Sequence, residues 1–253
     1  MANMRKSLVG NPDDEAEEEN ARRLTRRSIL LGGAAALMGV NDLLLPSTAG
    51  AATAGADIYH GTRSRTEVAL TFHGAGELAI ARKIMDVAKN HQAPITVMAI
   101  GAWLNANPSI GHEIIDAGNE IGNHTLNHKT MTMLSLKEAK YEISKGKAAL
   151  VRSVGNAGTW FRPSGTQKSN PIIRAAAGAS GYKHCISYDV DSHDYQDPPV
   201  KTILSNTMKS VQNGSIVSLH LGHLHTVGAL PLILQALYDR KLTPVTISEL
   251  LRA

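Results

Sequence analysis

The chain has 253 residues, of which 43% are hydrophobic and 19% charged, the balance of a soluble globular domain. The formal charge is +4, and no Lys/Arg cluster is interleaved with aromatics, so nucleic acid is not an expected partner. Cys185 is the only cysteine, which excludes an internal disulfide and a thiolate metal cluster; in the apolar run HCISY it reads as a packing residue rather than a catalytic thiol.

The first 51 residues read as an export signal. An acidic stretch from Asp13 to Glu19 precedes LTRRSILLGGAAALMGV, in which Arg26 and Arg27 stand before an apolar run from Ser28 to Val40. That run is too short to span a bilayer comfortably. Ala49-Gly50-Ala51 has the small-x-small form of a cleavage site. Twin arginines followed by Ser-Ile-Leu resemble the signal of the twin-arginine export route, the alternatives being a basic-flanked Sec signal or an uncleaved anchor. Residues 52–66 read as a linker, and 67–253 as a single catalytic domain. No stable membrane span is expected once the signal is removed.

From Glu67 onward, strand-like runs alternate with helical patterns. EVALTF (67–72) predicts a strand, followed by a helix from Leu78 to Asn90 with Ala81, Ile84 and Ala88 on one face. PITVMAIG predicts a second strand, and Asn107-Pro108 the start of a helix ending at Gly118. EIGN (120–123) is a third strand, and Ser135-Leu136-Lys137-Glu138 a capping box that opens a long helix. TWFR (159–162), HCISYDV (184–190), SIVSLH (215–220) and the short TPVT complete the strands. Helices are expected from Asn170-Pro171, from Val200 to Val211, around Leu230–Arg240 and near Thr246. About seven such βα units imply a parallel sheet, either a barrel or a doubly wound sheet.

The polar residues converge. His73 follows the first strand, His124 and His128 the third, Arg162 ends the fourth, Asp191 follows the fifth and His220 ends the sixth. C-terminal strand ends gather on one face of a parallel α/β fold, where active sites are built. His124 and His128 stand four apart, so one helical turn would aim both imidazoles at a single divalent ion.

Beyond this convergence, the segment GNEIGNHTLNH resembles the metal-binding motif of the polysaccharide deacetylase family. VALTF, WFRPSG, YDVDSHDY and GSIVSLH follow that family's motifs in order over about 67–252. The resemblance implies a distorted (β/α) barrel with about seven strands and a metal-dependent hydrolase removing acetyl groups from a polysaccharide. It also implies one divalent ion, zinc with cobalt or nickel as alternatives, on His124 and His128. Arg162 would orient the catalytic base, Asp191 would stand behind the catalytic acid, and His220 would be that acid. Tyr195 and Trp160 are the expected substrate-binding residues. The family's first motif ends in two aspartates, a base and a third ligand; here TFHGAG puts His73 in the base position and Gly74 in the ligand position. His73 is therefore either a third ligand or the base, with Glu77 as another donor. The alternative is a deacetylase-fold protein of weak or no activity that binds envelope glycans. His223 and His225, in LGHLHT, line the groove, supply a ligand or are simply exposed.

Overall fold

The structure, a computed structural model, describes residues 52–252; the export signal lies outside the described residues. The chain forms β1 (Glu67–Gly74), α1 (Leu78–Asn90), β2 (Thr96–Ala99), α2 (Gly101–Ala106), α3 (Ile110–Asp116), β3 (Glu120–Asn123) and α4 (Leu136–Val154). These are followed by α5 (Pro171–Ala179), β4 (Val190–Asp191), α6 (Val200–Ser210), β5 (Ile216–His220), α7 (Leu224–Asp239), β6 (Thr243–Val245) and α8 (Ile247–Leu250). Among the described residues all strand pairs are parallel, in the order β3-β2-β1-β5-β4, with β6 against the first residues of β1.

The expected helix over 78–90 has the predicted bounds and inward face. The capping box of α4 is present, with the Ser135 hydroxyl accepting from the Glu138 N–H and the Glu138 carboxylate accepting from the Ser135 N–H. Asn170 caps α5 with Pro171 in its first turn. Two expected strands are cut short. TWFR pairs only at Phe161, which bridges Asn123 on one side and Cys185 on the other, and HCISYDV keeps single bridges at Cys185 and Ile186 before β4. Pro163 has no N–H to extend the first of these ladders. The sheet thus curls through single bridges, without a continuous seventh ladder.

Residues 52–66, expected as a linker, are part of the fold. Ile58 bridges Ile186, and His60 bridges Ser215 just before β5, so this segment fills the gap between two strand positions. Arg63 reinforces it, its Nη2 donating to Asp189 Oδ2 at 2.8 Å and its Nη1 to the Asn213 carbonyl.

Period-two alternation along β1 sorts the two faces of the sheet. Val68, Leu70 and Phe72 face outward into the main core with α1, α3 and α7. On the inner face Ala69 packs with Met98, Ile186, Ile216, Ile247 and Leu250 as an apolar floor. One step up is Thr71, and the next is His73. Ascending the inside of the sheet, the chain passes from apolar to polar to imidazole, and the chemistry lies at the C-terminal rim.

Candidate active site

His73, His124 and His128 offer nitrogen atoms that all lie within 4.8 Å of one another. His124 is fully buried, and its Nδ1–H donates to the Arg162 carbonyl at 2.9 Å, which leaves the Nε2 lone pair facing the rim. His73 Nδ1 lies 2.9 Å from that Nε2, and His73 Nε2 lies 3.0 Å from Ser218 Oγ. Two proton arrangements satisfy His73. With the proton on Nδ1 it donates to His124; with the proton on Nε2 it donates to Ser218 and turns a second lone pair toward the same point.

The histidine spacing does not form a helical turn. His124 to His128 is a loop in which Thr125 and His128 adopt φ of 69° and 56°, and Glu142 on α4 grips it by accepting from the backbone and side-chain N–H groups of Asn127. The left-handed residues, rather than an α-helical turn, bring His128 back over His124, with ring centroids 4.9 Å apart.

All three imidazoles are held neutral at pH 7. Burial pushes His73 well below its ordinary pKa, assisted by His124, Arg162 and His220; burial does the same to His124, and more weakly to His128. Three neutral imidazoles, with the His124 tautomer set by the Arg162 carbonyl and Ser218 within reach of His73, are a donor set that fits a divalent cation.

His220 stands beside them. It is the register partner of His73 across β1 and β5. Its Nδ1 donates to Asp194 Oδ1 at 2.7 Å, while Asp194 Oδ2 accepts from the His220 backbone N–H and from the Thr226 hydroxyl. Burial would raise the Asp194 pKa, but the His220 and Thr226 hydrogen bonds outweigh it and hold the carboxyl below its ordinary value. The aspartate behind His220 is therefore Asp194 and not Asp191. A left-handed His193, with φ of 54°, turns the chain so that Asp194 reaches back over β5.

Four further expectations are corrected. Arg162 does not meet His73: its buried guanidinium donates to Thr71 Oγ1 (2.9 Å) and to the Ile186 and Ser187 carbonyls, and lies over the Tyr188 ring. None of these partners is a carboxylate, and burial lowers the Arg162 pKa to about 10. Its contact with the histidines is made by its own carbonyl. Trp160 lies at the opposite end of the strands, its Nε1–H shared between Glu120, the first residue of β3, and Ser248 of α8. Gly74 is no open ligand position, since a Cβ there would lie 2.8 Å from Val97 Cγ1 and 2.9 Å from the Ala99 Cα. Glu77 is exposed ahead of α1 and is not among the converging donors.

A cavity of about 360 Å³ opens over this rim, and His73, His128, Asp191, Tyr195, Ser218 and His220 are among its lining. Tyr195, about half exposed, sets its ring against His220, with centroids 5.5 Å apart. His223 and His225 stand outside, bonded to the Asp197 carboxylate and carbonyl. Cys185 is fully buried, with its thiol pushed up to about 11 by burial.

The fold and rim are those of a parallel α/β protein that carries its polar chemistry at the strand ends. The chain belongs to the polysaccharide deacetylase family, whose model matches residues 60–184. It is 31% identical over 189 residues to a peptidoglycan-N-acetylglucosamine deacetylase of Bacillus cereus, covering 73% of this chain and 88% of that one. It is 24% identical over 188 residues to a chitooligosaccharide deacetylase of Sinorhizobium fredii, covering 68% of this chain and 86% of that one. Among solved structures it is similar to a pseudoenzyme of carbohydrate esterase family 4 from Bacillus anthracis. That match has a TM-score of 0.73 and 26% identity, covering 78% of this chain and 69% of that one.

Proposed function

We propose that this chain is a metal-dependent hydrolase that removes N- or O-linked acetyl groups from a cell-envelope or chitin-like polysaccharide. The observation that carries this is the meeting at one strand-end rim of three neutral imidazoles and an Asp–His pair, with His73, His128 and His220 lining the cavity there. His73, His124 and His128 hold one divalent ion, zinc or alternatively cobalt or nickel; when bound it polarises the acetyl carbonyl and activates water. His73 acts as a ligand, its Nε2–H given to Ser218 so that Nδ1 faces the ion. His220, its Nδ1–H fixed on Asp194, gives a proton from Nε2 to the leaving nitrogen. Tyr195 forms one wall for the sugar.

Residues 1–51 carry the chain out of the cytoplasm by the twin-arginine route, in keeping with relatives that are peptidoglycan deacetylases. A second reading, a glycan-binding relative of low activity, is favoured by the TFHGAG departure and by the similarity to a pseudoenzyme. The test is acetate release from chitooligosaccharides, peptidoglycan and acetylated xylan by protein of known metal content. Turnover on any of these supports the hydrolase; metal-loaded protein that binds glycan without releasing acetate supports the second reading.

A further inference from the structure

We propose that Asp191 is the general base of this site, a role that rests on the hydrolase reading above. With His73 turned to the cation and His220 tied to Asp194 as the acid, the proton of the attacking water needs another acceptor. The segment 189–194 supplies three carboxylates, and two are already committed. Asp189 accepts from Arg63, from the Ser215 hydroxyl and from the Ile216 N–H, while Asp194 accepts from His220 and Thr226. Asp191 is the carboxylate in the cavity lining.

Register sets its direction. Asp191 is the Cα partner of Ser218, which in turn partners Thr71. Partners in adjacent parallel strands project to the same face, and Ser218 projects inward to touch His73 Nε2 at 3.0 Å. The two backbones are thus one strand spacing apart, about 4.8 Å, and Asp191, Ser218 and His73 line the same cavity, into which water can enter. One carboxylate oxygen, Oδ1, is anchored by the His193 backbone N–H at 2.9 Å. The other is 3.7 Å from the His193 ring, beyond hydrogen-bond range, and is left to accept. The side chain is 26% exposed, so water reaches it. Beneath it lies the buried Arg162 charge, close enough for Asp191 to raise the guanidinium pKa against the effect of burial.

The step balances. Water gives one proton to the Asp191 carboxylate as its oxygen forms the C–O bond to the acetyl carbon, and the C–N bond breaks as His220 passes a proton to nitrogen. Acetic acid, which then ionises to acetate in solvent, and a free amine leave. Asp191 ends protonated and His220 neutral, and exchange with solvent restores both.

The experiment compares wild type with Asp191→Asn and Asp191→Gly, reading kcat, KM, metal content and melting temperature. Asp191→Asn is expected to lower kcat by about 10²–10⁴-fold with metal content, KM and fold retained. Formate, a small carboxylate, is expected to restore part of the turnover in Asp191→Gly. An active wild type with Asp191→Asn within tenfold of it overturns this role alone. So does a loss that follows lost metal or lost fold and that formate does not relieve. A wild type that holds metal but releases no acetate from any polymer overturns the hydrolase reading and this role together.

Discussion

His73 and His220 stack face to face, with ring centroids 4.4 Å apart and planes 13° from parallel. They do so because they are register partners on neighbouring strands, pointing the same way out of one sheet. The proposed ligand and the proposed acid are therefore held against each other by backbone pairing along β1 and β5. Burial, with the neighbouring rings assisting, lowers the His73 pKa and keeps that ring neutral.

The first prediction concerns the ion. His124→Ala, His128→Ala and His73→Ala should each bind zinc far more weakly than wild type, because two imidazoles cannot replace the third bond. Metal content after dialysis against a weak chelator reads this directly. If His73→Ala keeps the wild-type content while the other two lose theirs, His73 is not a ligand.

Ser218 should matter without touching the ion. Its hydroxyl is the partner that lets His73 hold its proton on Nε2. Ser218→Ala is expected to weaken zinc affinity by about 10–100-fold, and Ser218→Thr to recover most of it. Equal affinities for Ser218→Ala and wild type in a competition titration would show that Nδ1 is presented without this help.

Asp194→Asn should have two effects. Turnover should fall by about 10²–10⁴-fold, because the amide cannot stabilise a protonated His220 as the carboxylate does. The folded-state pKa of Asp194 lies below its ordinary value of 3.8. Its stabilising contribution is therefore complete above the unfolded pKa and is lost as pH falls through the folded value. Acid unfolding followed by circular dichroism should be flatter below about pH 4 in Asp194→Asn than in wild type.

Much of this was legible in the chain itself. EVALTF marked β1 itself, and side-chain caps at Ser135 and Asn170 marked true helix starts. The strand-end position of His73, His124, His128 and His220 identified the rim before any geometry. What escaped was set by backbone geometry that residue spacing does not encode. DVDSHDY holds three aspartates, and only the left-handed turn at His193 decides that Asp194, not Asp191, reaches His220. The short helix α2 has no side-chain cap to announce it. Trp160, expected against substrate, is left at the floor because the pairing of this segment falls at Phe161.

A fourth prediction follows from residues 52–66. Arg63→Ala should destabilise the fold by about 1–2 kcal/mol, since it strips a charged donor from the half-buried Asp189, an effect moderated by solvent at Arg63. A chain beginning at Glu67 should lose considerably more. Urea unfolding of the two forms measures both, and equal midpoints would mean that the segment is ornamental.

A fifth concerns export. Arg26→Lys with Arg27→Lys keeps the charge but removes the side chains that the twin-arginine route reads. The double variant should remain in the cell while wild type is exported; unchanged export would assign the signal to the Sec route.

The bridge between His60 and Ser215 also gives the molecule a polarity. Ser215 lies just before β5 and His220 ends it, five residues on, a rise of about 16 Å. The chain is thus stitched in at the floor and open at the rim.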